Sequence, residues 1–211
     1  MRRALSFMLM SVVAVCLWAQ VPAGRSEKVT LFDAFVPAAI ELNDGTENYQ
    51  PLANIFLKNS TLIYKKGTTD MQANMAVVKG VSFGKRHFVN VNNQLAEVID
   101  TCGHYTLVCV KLIDIDAFNG EWLNNSDITN ISFSENIAVT RLDPNEETLT
   151  YPLVNNYYYL VKGKSIPCHE RSVRPLVAKK NRNYVDARMR AGIIDWSSVE
   201  DLKALMKQFE Q

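Results

Sequence analysis

The chain has 211 residues, of which 47% are hydrophobic and 21% charged, and its formal net charge is +1. This length is enough for one ordinary domain that buries its own core without disulfides or a structural metal. The near-neutral charge argues against a dedicated nucleic-acid-binding protein, so no nucleic acid is expected as a partner.

Residues 1–23 have the layout of a secretory signal peptide. Arg2 and Arg3 precede an uncharged, mainly apolar run over residues 4–19, and Ala23 offers a small residue at which cleavage can occur, with Ala19 as the alternative. The run is shorter than the roughly 20 residues of a membrane-spanning helix. We therefore expect an exported protein, periplasmic, at the cell surface or secreted, with no transmembrane segment after cleavage. Lipidation of Cys16 is an alternative that the sequence leaves open.

Residues 28–169 alternate short apolar runs with turn residues, a pattern typical of strands. The Asn-Asp-Gly sequence at residues 43–45 favours a tight hairpin turn, because such turns need positive φ angles. Close spacing of the turns favours antiparallel pairing. Further turns are predicted at Lys58-Asn59-Ser60, Lys66-Gly67, Lys79-Gly80, Phe83-Gly84, Asn92-Asn93, Cys102-Gly103 and Lys162-Gly163-Lys164.

Residues 105–115 form the most continuously apolar run after the signal peptide, which predicts a central strand buried on both faces. A loop is expected over residues 116–127. Strands are expected again at 128–133, 137–142 and 150–161.

The C-terminal part, residues 171–210, is rich in helix formers. One helix is predicted from Pro175 to a stop at Gly192, and a second begins at a capping box, Ser197 to Glu200. The predicted fold is mainly β (α+β), an antiparallel sheet sandwich or roll with two C-terminal helices packed on it. Residues 24–211 are expected to form a single domain.

Four segments carry a resemblance to a known group of proteins: 53–59 (ANIFLKN), 80–86 (GVSFGKR), 96–99 (AEVI) and 195–197 (DWS). In these segments and in their order, the chain resembles uncharacterised exported β-rich proteins of Bacteroidetes-type bacteria. The resemblance implies a small β-rich protein of the envelope or the exterior. It brings no catalytic residues with it.

The candidate ligand site is the tyrosine-rich strand. Alternation places Asn155, Tyr157 and Tyr159 on one strand face, where aromatic rings could stack on sugars while the amide bonds to hydroxyl groups. Such a face would bind a carbohydrate or a peptide. The alternative is structural, since tyrosine also packs well across strands.

Catalytic chemistry has weaker support, and no catalytic residue, metal site or cofactor is predicted. Cys102 with His104, or Cys168 near His169, could in principle support a thiol- or histidine-dependent hydrolase. Cys102, Cys109 and Cys168 are odd in number, so their disulfide status stays open. The acidic run from Asp114 to Glu121 lacks the EF-hand spacing.

A basic stretch over residues 170–190 could contact anionic partners, although the pattern favours a solvated helix face. The leading functional hypothesis is an exported non-enzymatic binding or interaction module of the cell envelope, with a glycan or an envelope protein as partner. The hydrolase and a structural envelope subunit are the alternatives. Ligand identity, oligomeric state and strand order are not determined by the sequence.

Overall fold

The computed structural model describes residues 24–125 and 150–210. The predicted signal peptide with Cys16 and the predicted strands at 128–133 and 137–142 lie outside the described residues. Within the described ranges, no helix has the length and apolar character needed to cross a membrane.

Antiparallel strands dominate residues 24–125 and 150–210, as predicted, and four short α-helices accompany them there. The strands are β1 (Arg25–Ser26), β2 (Val36–Leu42), β3 (Glu47–Phe56), β4 (Thr61–Lys66), β5 (Thr69–Gln72), β6 (Val78–Phe83), β7 (Arg86–Val91), β8 (Gln94–Cys102), β9 (Tyr105–Ile113), β10 (Tyr151–Val161) and β11 (Lys164–Pro167). The helices are α1 (Ile115–Asn125), α2 (Glu170–Val173), α3 (Arg182–Arg190) and α4 (Val199–Met206).

All described strands join one antiparallel sheet in the order β1-β10-β9-β8-β7-β6-β2-β3-β4-β5, with β11 also paired to β10. The predicted fold class is therefore confirmed. Two-residue turns connect five pairs of neighbouring described strands, such as β7 to β8 through Asn92 and Asn93, whose φ angles are +53° and +66°. Positive φ at both central residues suits the right-handed twist of the flanking strands.

The turn predicted at Lys79-Gly80 is wrong, because both residues lie inside β6. Gly80 is needed there for close approach rather than for a turn. A Cβ atom at this position would lie 2.9 Å from the carbonyl oxygen of Phe88 on the neighbouring strand.

Strand β9 is buried on both faces, as predicted: Leu107, Val108 and Val110 are completely inaccessible to solvent. Its predicted place at the centre of the sheet is wrong. β9 lies between β10 and β8, near one end of the strand order, because the strands that precede β8 in the chain extend the sheet in the other direction.

The loop predicted over residues 116–127 is helix α1 through Asn125. The Asp114 carboxylate accepts a hydrogen bond from the Ala117 amide and begins the helix. Phe118 is buried and its ring stacks on Tyr151 at a centroid distance of 5.4 Å. Glu121 forms a bidentate ion pair with Arg25. Two of the acidic residues in this run therefore have structural partners.

Backbone contacts at the β3–β4 turn close part of the sheet into a roll. The Leu95 amide donates to the Ser60 carbonyl, and the Ser60 hydroxyl donates to the Leu95 carbonyl, each at 2.7 Å. The Ile113 amide donates to the Leu57 carbonyl at 2.9 Å. These bonds bring the β3–β4 turn against β8 and β9, several strands away in the sheet order. The sheet must curl to allow this.

The interior of the roll is filled by apolar side chains from β2, β3, β4, β6, β7 and β8. Arg86 is held beside this core by a bidentate ion pair with Glu97. Its guanidinium lies 5.0 Å from the Phe32 ring centroid and 5.3 Å from that of Phe88. The buried members of the cluster include Ala38, Ile40, Ala53, Ile55, Leu62, Val81, Phe83, Phe88 and Leu95.

The single helix predicted between Pro175 and Gly192 is instead broken into short pieces. Helix α2 precedes Pro175, two 3₁₀ turns cover residues 174–176 and 179–181, and only then does α3 begin. Proline lacks an amide hydrogen, and Val177 between the turns is extended and forms a β-bridge with Phe209. This bridge replaces the helical hydrogen bonds. The predicted stop at Gly192 is confirmed by its φ of +64°.

The second predicted helix is α4, and it begins one residue later than the capping box suggested. Ser198 rather than Ser197 caps it, accepting a hydrogen bond from the Asp201 amide. The C-terminal part packs on β9 and β10 through an aromatic cluster. Tyr159 and Tyr105 meet Phe209 edge-on at centroid distances of 4.8 and 5.0 Å.

We expect Ser60→Ala to destabilise the protein by about 1–3 kcal/mol, since it leaves the buried Leu95 carbonyl without the hydroxyl donor. Ser60 also has a φ of +53°, a strained conformation for any residue with a Cβ atom. Ser60→Gly should therefore be less destabilising than Ser60→Ala by about 1 kcal/mol. Urea unfolding of the three proteins measures both differences, and equal stability of the wild type and Ser60→Ala would show that the Ser60 hydroxyl bond does not stabilise the closure.

Candidate functional site

A cleft of about 870 Å³ lies in the C-terminal part of the structure. Its walls combine positive charge, one carboxylate and two flat apolar side chains. The lining residues are His169, Glu170, Arg171, Arg174, Pro175, Arg182 and Trp196. The volume lies within the range of about 300–1,000 Å³ that is usual for small-molecule sites.

The break at Pro175 brings the cationic residues together. Arg171 lies in α2 and Arg174 follows three residues later, so their side chains leave the same side of one helical turn. Arg182 begins α3 after the two 3₁₀ turns. One continuous helix would have carried Arg182 about two turns further along the axis.

His169 caps α2, and both nitrogens of its ring contact the same residue, Ser172. Its Nδ1 accepts a hydrogen bond from the Ser172 amide at 3.3 Å, and its Nε2 lies 2.9 Å from the Ser172 hydroxyl. A histidine that acts as a general base for a nucleophile is normally oriented by a third group on its other nitrogen. Here Ser172 contacts both nitrogens, so the pair has the form of a helix cap rather than of a catalytic dyad.

The three arginines differ in how strongly they are engaged. Arg174 forms a bidentate ion pair with Asp186 at 2.9 and 2.8 Å, and this bond lowers the pKa of the Asp186 carboxyl below its usual range. Arg182 makes one long hydrogen bond, 3.4 Å, to the Val177 carbonyl. In the described part of the chain, Arg171 forms no ion pair. Arg171 and Arg182 therefore retain donors for a ligand.

Trp196 is held in the cleft wall by the connection between α3 and α4. The Asp195 carboxylate accepts hydrogen bonds from the Ser197 amide and hydroxyl, and the Asp195 amide donates to the Asp201 carboxylate. The indole is half-buried because it also packs against the apolar cluster beneath the helices. One part of the ring thus anchors the wall while another lines the cleft.

The tyrosine-rich strand does not form the exposed face that a stacking site requires. Tyr159 is completely buried, and its hydroxyl donates to the Leu202 carbonyl at 2.7 Å. Tyr157 is half-buried against the same cluster, while Asn155 is exposed. The sugar-stacking role predicted for Tyr159 needs an exposed ring, and the C-terminal helices pack on that face of β10 instead. Whether Asn155 and Tyr157 contact a ligand remains a prediction.

Burial disfavours the thiolate form of two of the described cysteines. It raises the pKa of the Cys109 thiol to about 11 and that of Cys168 to about 12. A thiol nucleophile needs the opposite shift. Cys168 contacts the Tyr159 hydroxyl, whereas the neighbouring His169 contacts Ser172, so the two side chains are engaged separately.

The other proposed pair, Cys102 and His104, does not share a strand face. Cys102 ends β8, and His104 lies in the turn that leads to β9. Within the described ranges, no disulfide joins Cys102, Cys109 and Cys168. Among the described residues, no three His, Cys, Asp or Glu side chains converge in a way that could hold a metal ion.

Sequence reasoning found part of this site. The basic stretch at residues 170–190 contains Arg171, Arg174 and Arg182, but the pattern indicated a helix face rather than a concave surface. The sequence pattern does not mark Trp196 as a site residue. The sequence signal for this cleft is a proline within a basic helical pattern, followed by an aromatic residue before the next helix.

No protein-family model, curated protein or solved structure matches this chain. Its function must therefore be inferred from the geometry and charge of the cleft.

We expect the raised thiol pKa values of Cys109 and Cys168 to make stability fall at alkaline pH. An unfolded thiol ionises with a pKa of about 8.5, whereas the folded values are about 11 for Cys109 and about 12 for Cys168. Above pH 8.5 the unfolded chain releases protons that the folded chain keeps. The free energy of unfolding should thus fall as the pH rises towards the folded pKa values.

Urea unfolding at pH 8 and pH 10 measures this effect. The protein should be less stable at pH 10, by at most about 1.4 kcal/mol per pH unit for each thiol. The Cys109→Ala, Cys168→Ala double variant is the control, because it keeps every tyrosine and lysine that titrates nearby. An equal loss of stability in this variant would show that other groups cause the alkaline destabilisation.

Proposed function

We propose that this protein is an exported, non-enzymatic binding module of the cell envelope, and that its ligand is an anionic molecule held in the C-terminal cleft. The observation that carries this proposal is the convergence of Arg171, Arg174 and Arg182 on one concave surface. Guanidinium groups present several donors in a planar fork that matches carboxylate, sulfate and phosphate oxygens.

The chemistry of the cleft supports binding rather than turnover. Cys168, which precedes His169 in the chain, is a poor nucleophile because its pKa is raised, and His169 is committed to the cap of α2. Glu170 is an exposed carboxylate beside cationic groups. The cleft residues are therefore suited to bind and orient a charged ligand.

Asp186 competes with an anionic ligand for Arg174. Its carboxylate occupies the fork of Arg174 in the geometry that a ligand carboxylate would adopt. Arg182 and Arg190 lie near enough to Asp186 to lower its pKa further. Asp186 takes the Nε and Nη2 donors of Arg174, so a ligand relies first on Arg171 and Arg182 and gains these two donors only by displacing Asp186.

We expect Arg171→Gln and Arg182→Gln each to weaken the binding of an anionic probe about tenfold or more, as expected for the loss of one charged hydrogen bond. The probe is fluorescently labelled dextran sulfate, followed by fluorescence anisotropy at low and moderate salt. Binding should weaken as ionic strength rises, because the contacts are exposed ion pairs.

Two control variants make this test specific to the cleft. Lys85→Gln removes one positive charge from the β6–β7 turn and should leave the affinity within about twofold, since this exposed side chain does not line the cleft and its charge is screened by salt. Asp186→Asn releases Arg174 and should strengthen binding, the opposite sign to the arginine variants. An equal effect of Arg171→Gln and Lys85→Gln would mean that dextran sulfate binds according to the overall charge of the protein and not at the cleft.

Export rests on the charged and then apolar pattern of residues 1–23. We expect the protein recovered from its native cells to begin at Gly24 and to be found in the envelope fraction or the medium. N-terminal sequencing and cell fractionation test this expectation. A cytoplasmic protein that retains residues 1–23 would refute the export part of the proposal and leave the cleft unaffected.

A further inference from the structure

We infer that the ligand of the cleft is an acidic glycan, in which a sugar ring stacks on Trp196 while its anionic group binds Arg171 and Arg182. This inference rests on the proposed function and goes further by naming the ligand class. It depends on three properties of the cleft: its flat apolar wall, its single carboxylate and its limited size.

The apolar wall suits the face of a pyranose ring. Trp196 and Pro175 are the two residues in the lining that present flat apolar surfaces. An indole ring offers the larger of these surfaces and a polarised face that attracts C–H groups. Placed beside guanidinium groups, it matches a molecule that has an apolar face and a negative charge on the same ring.

The carboxylate of Glu170 separates an acidic glycan from a phosphate polymer. Glu170 lies in the lining beside Arg171. Its carboxylate accepts hydrogen bonds, and its negative charge repels other anions. Sugar hydroxyl groups can donate to it. A polyphosphate has no such donors when ionised and places its charges close together, so Glu170 repels it.

The dimensions and the aromatic content argue against single-stranded nucleic acid. Non-specific binding of single strands uses a long basic groove with several aromatic side chains on which successive bases stack. Trp196 is the one tryptophan, tyrosine or phenylalanine among the residues that line this described cleft. A cleft of about 870 Å³ holds a short oligosaccharide instead.

The inference is tested by titrating the full chain with trigalacturonate, maltotriose and tripolyphosphate in a calorimeter. Trigalacturonate carries carboxylates on pyranose rings, maltotriose has similar rings without charge, and tripolyphosphate has charge without rings. We expect trigalacturonate to bind at least about tenfold more tightly than either of the others, since it alone satisfies both the arginines and the indole.

Three variants test the assigned roles. Trp196→Leu keeps an apolar anchor but loses the flat ring, and should weaken trigalacturonate binding about tenfold, whereas Trp196→Phe should weaken it less. Glu170→Gln should strengthen the binding of tripolyphosphate and should not strengthen that of trigalacturonate. Thermal unfolding of each variant, compared with the wild type, separates a lost contact from a lost fold, and Trp196→Phe provides the test if Trp196→Leu fails to fold.

The possible failures are distinguishable. If tripolyphosphate binds more tightly than trigalacturonate, and folded Trp196 variants bind the anion normally, the glycan inference is overturned while the anionic cleft stands. If neither anion binds, or if Arg171→Gln has no effect on binding, the proposed function fails together with the inference.

Discussion

The docking of the C-terminal part on one sheet face is the constraint on which the cleft depends. Tyr159 provides the central contact, since its ring packs on Phe209 and its hydroxyl donates to the Leu202 carbonyl in α4. A buried hydroxyl without a partner would be costly, so this bond fixes both the depth and the position of the helix. The Val177–Phe209 bridge then ties the segment between α2 and α3 to the C-terminal end. Arg171, Arg182 and Trp196 belong to separate elements, and only this docking brings them together.

The roll supports that arrangement from the other end of the sheet. The paired hydrogen bonds between Ser60 and Leu95 return the β3–β4 turn to β8, and β8 pairs with β9, on which the helices rest. A curled sheet encloses the apolar cluster of the roll and leaves one face of β9 and β10 for the C-terminal part. The two halves therefore share a rigid platform, and the cleft is built on packed elements rather than on an isolated loop. Such support favours a preformed site.

The electrostatics of the cleft indicate selectivity rather than maximal affinity. Asp186 occupies Arg174, and Glu170 places a negative charge in the lining, so the net positive potential is modest. A dense polyanion gains less from such a surface than from an uninterrupted basic patch. A ligand with isolated charges and many hydroxyl groups can use the arginines, the carboxylate and the indole together. Selection by this combination is the physical basis of the proposal for an acidic glycan.

The sequence by itself determined the strand-rich body, most of the tight turns and the helical character of the C-terminal part, because alternation and turn chemistry are local properties. It also located the basic stretch and the stop at Gly192. Only the tertiary structure decided that Tyr159 is buried, that Gly80 lies within a strand and that residues 115–125 form a helix. The break of the predicted helix after α2 and the meeting of Arg171 with Trp196 were decided there as well. These outcomes depend on which segments meet across long sequence separations, and burial and long-range hydrogen bonds can override what a local pattern favours.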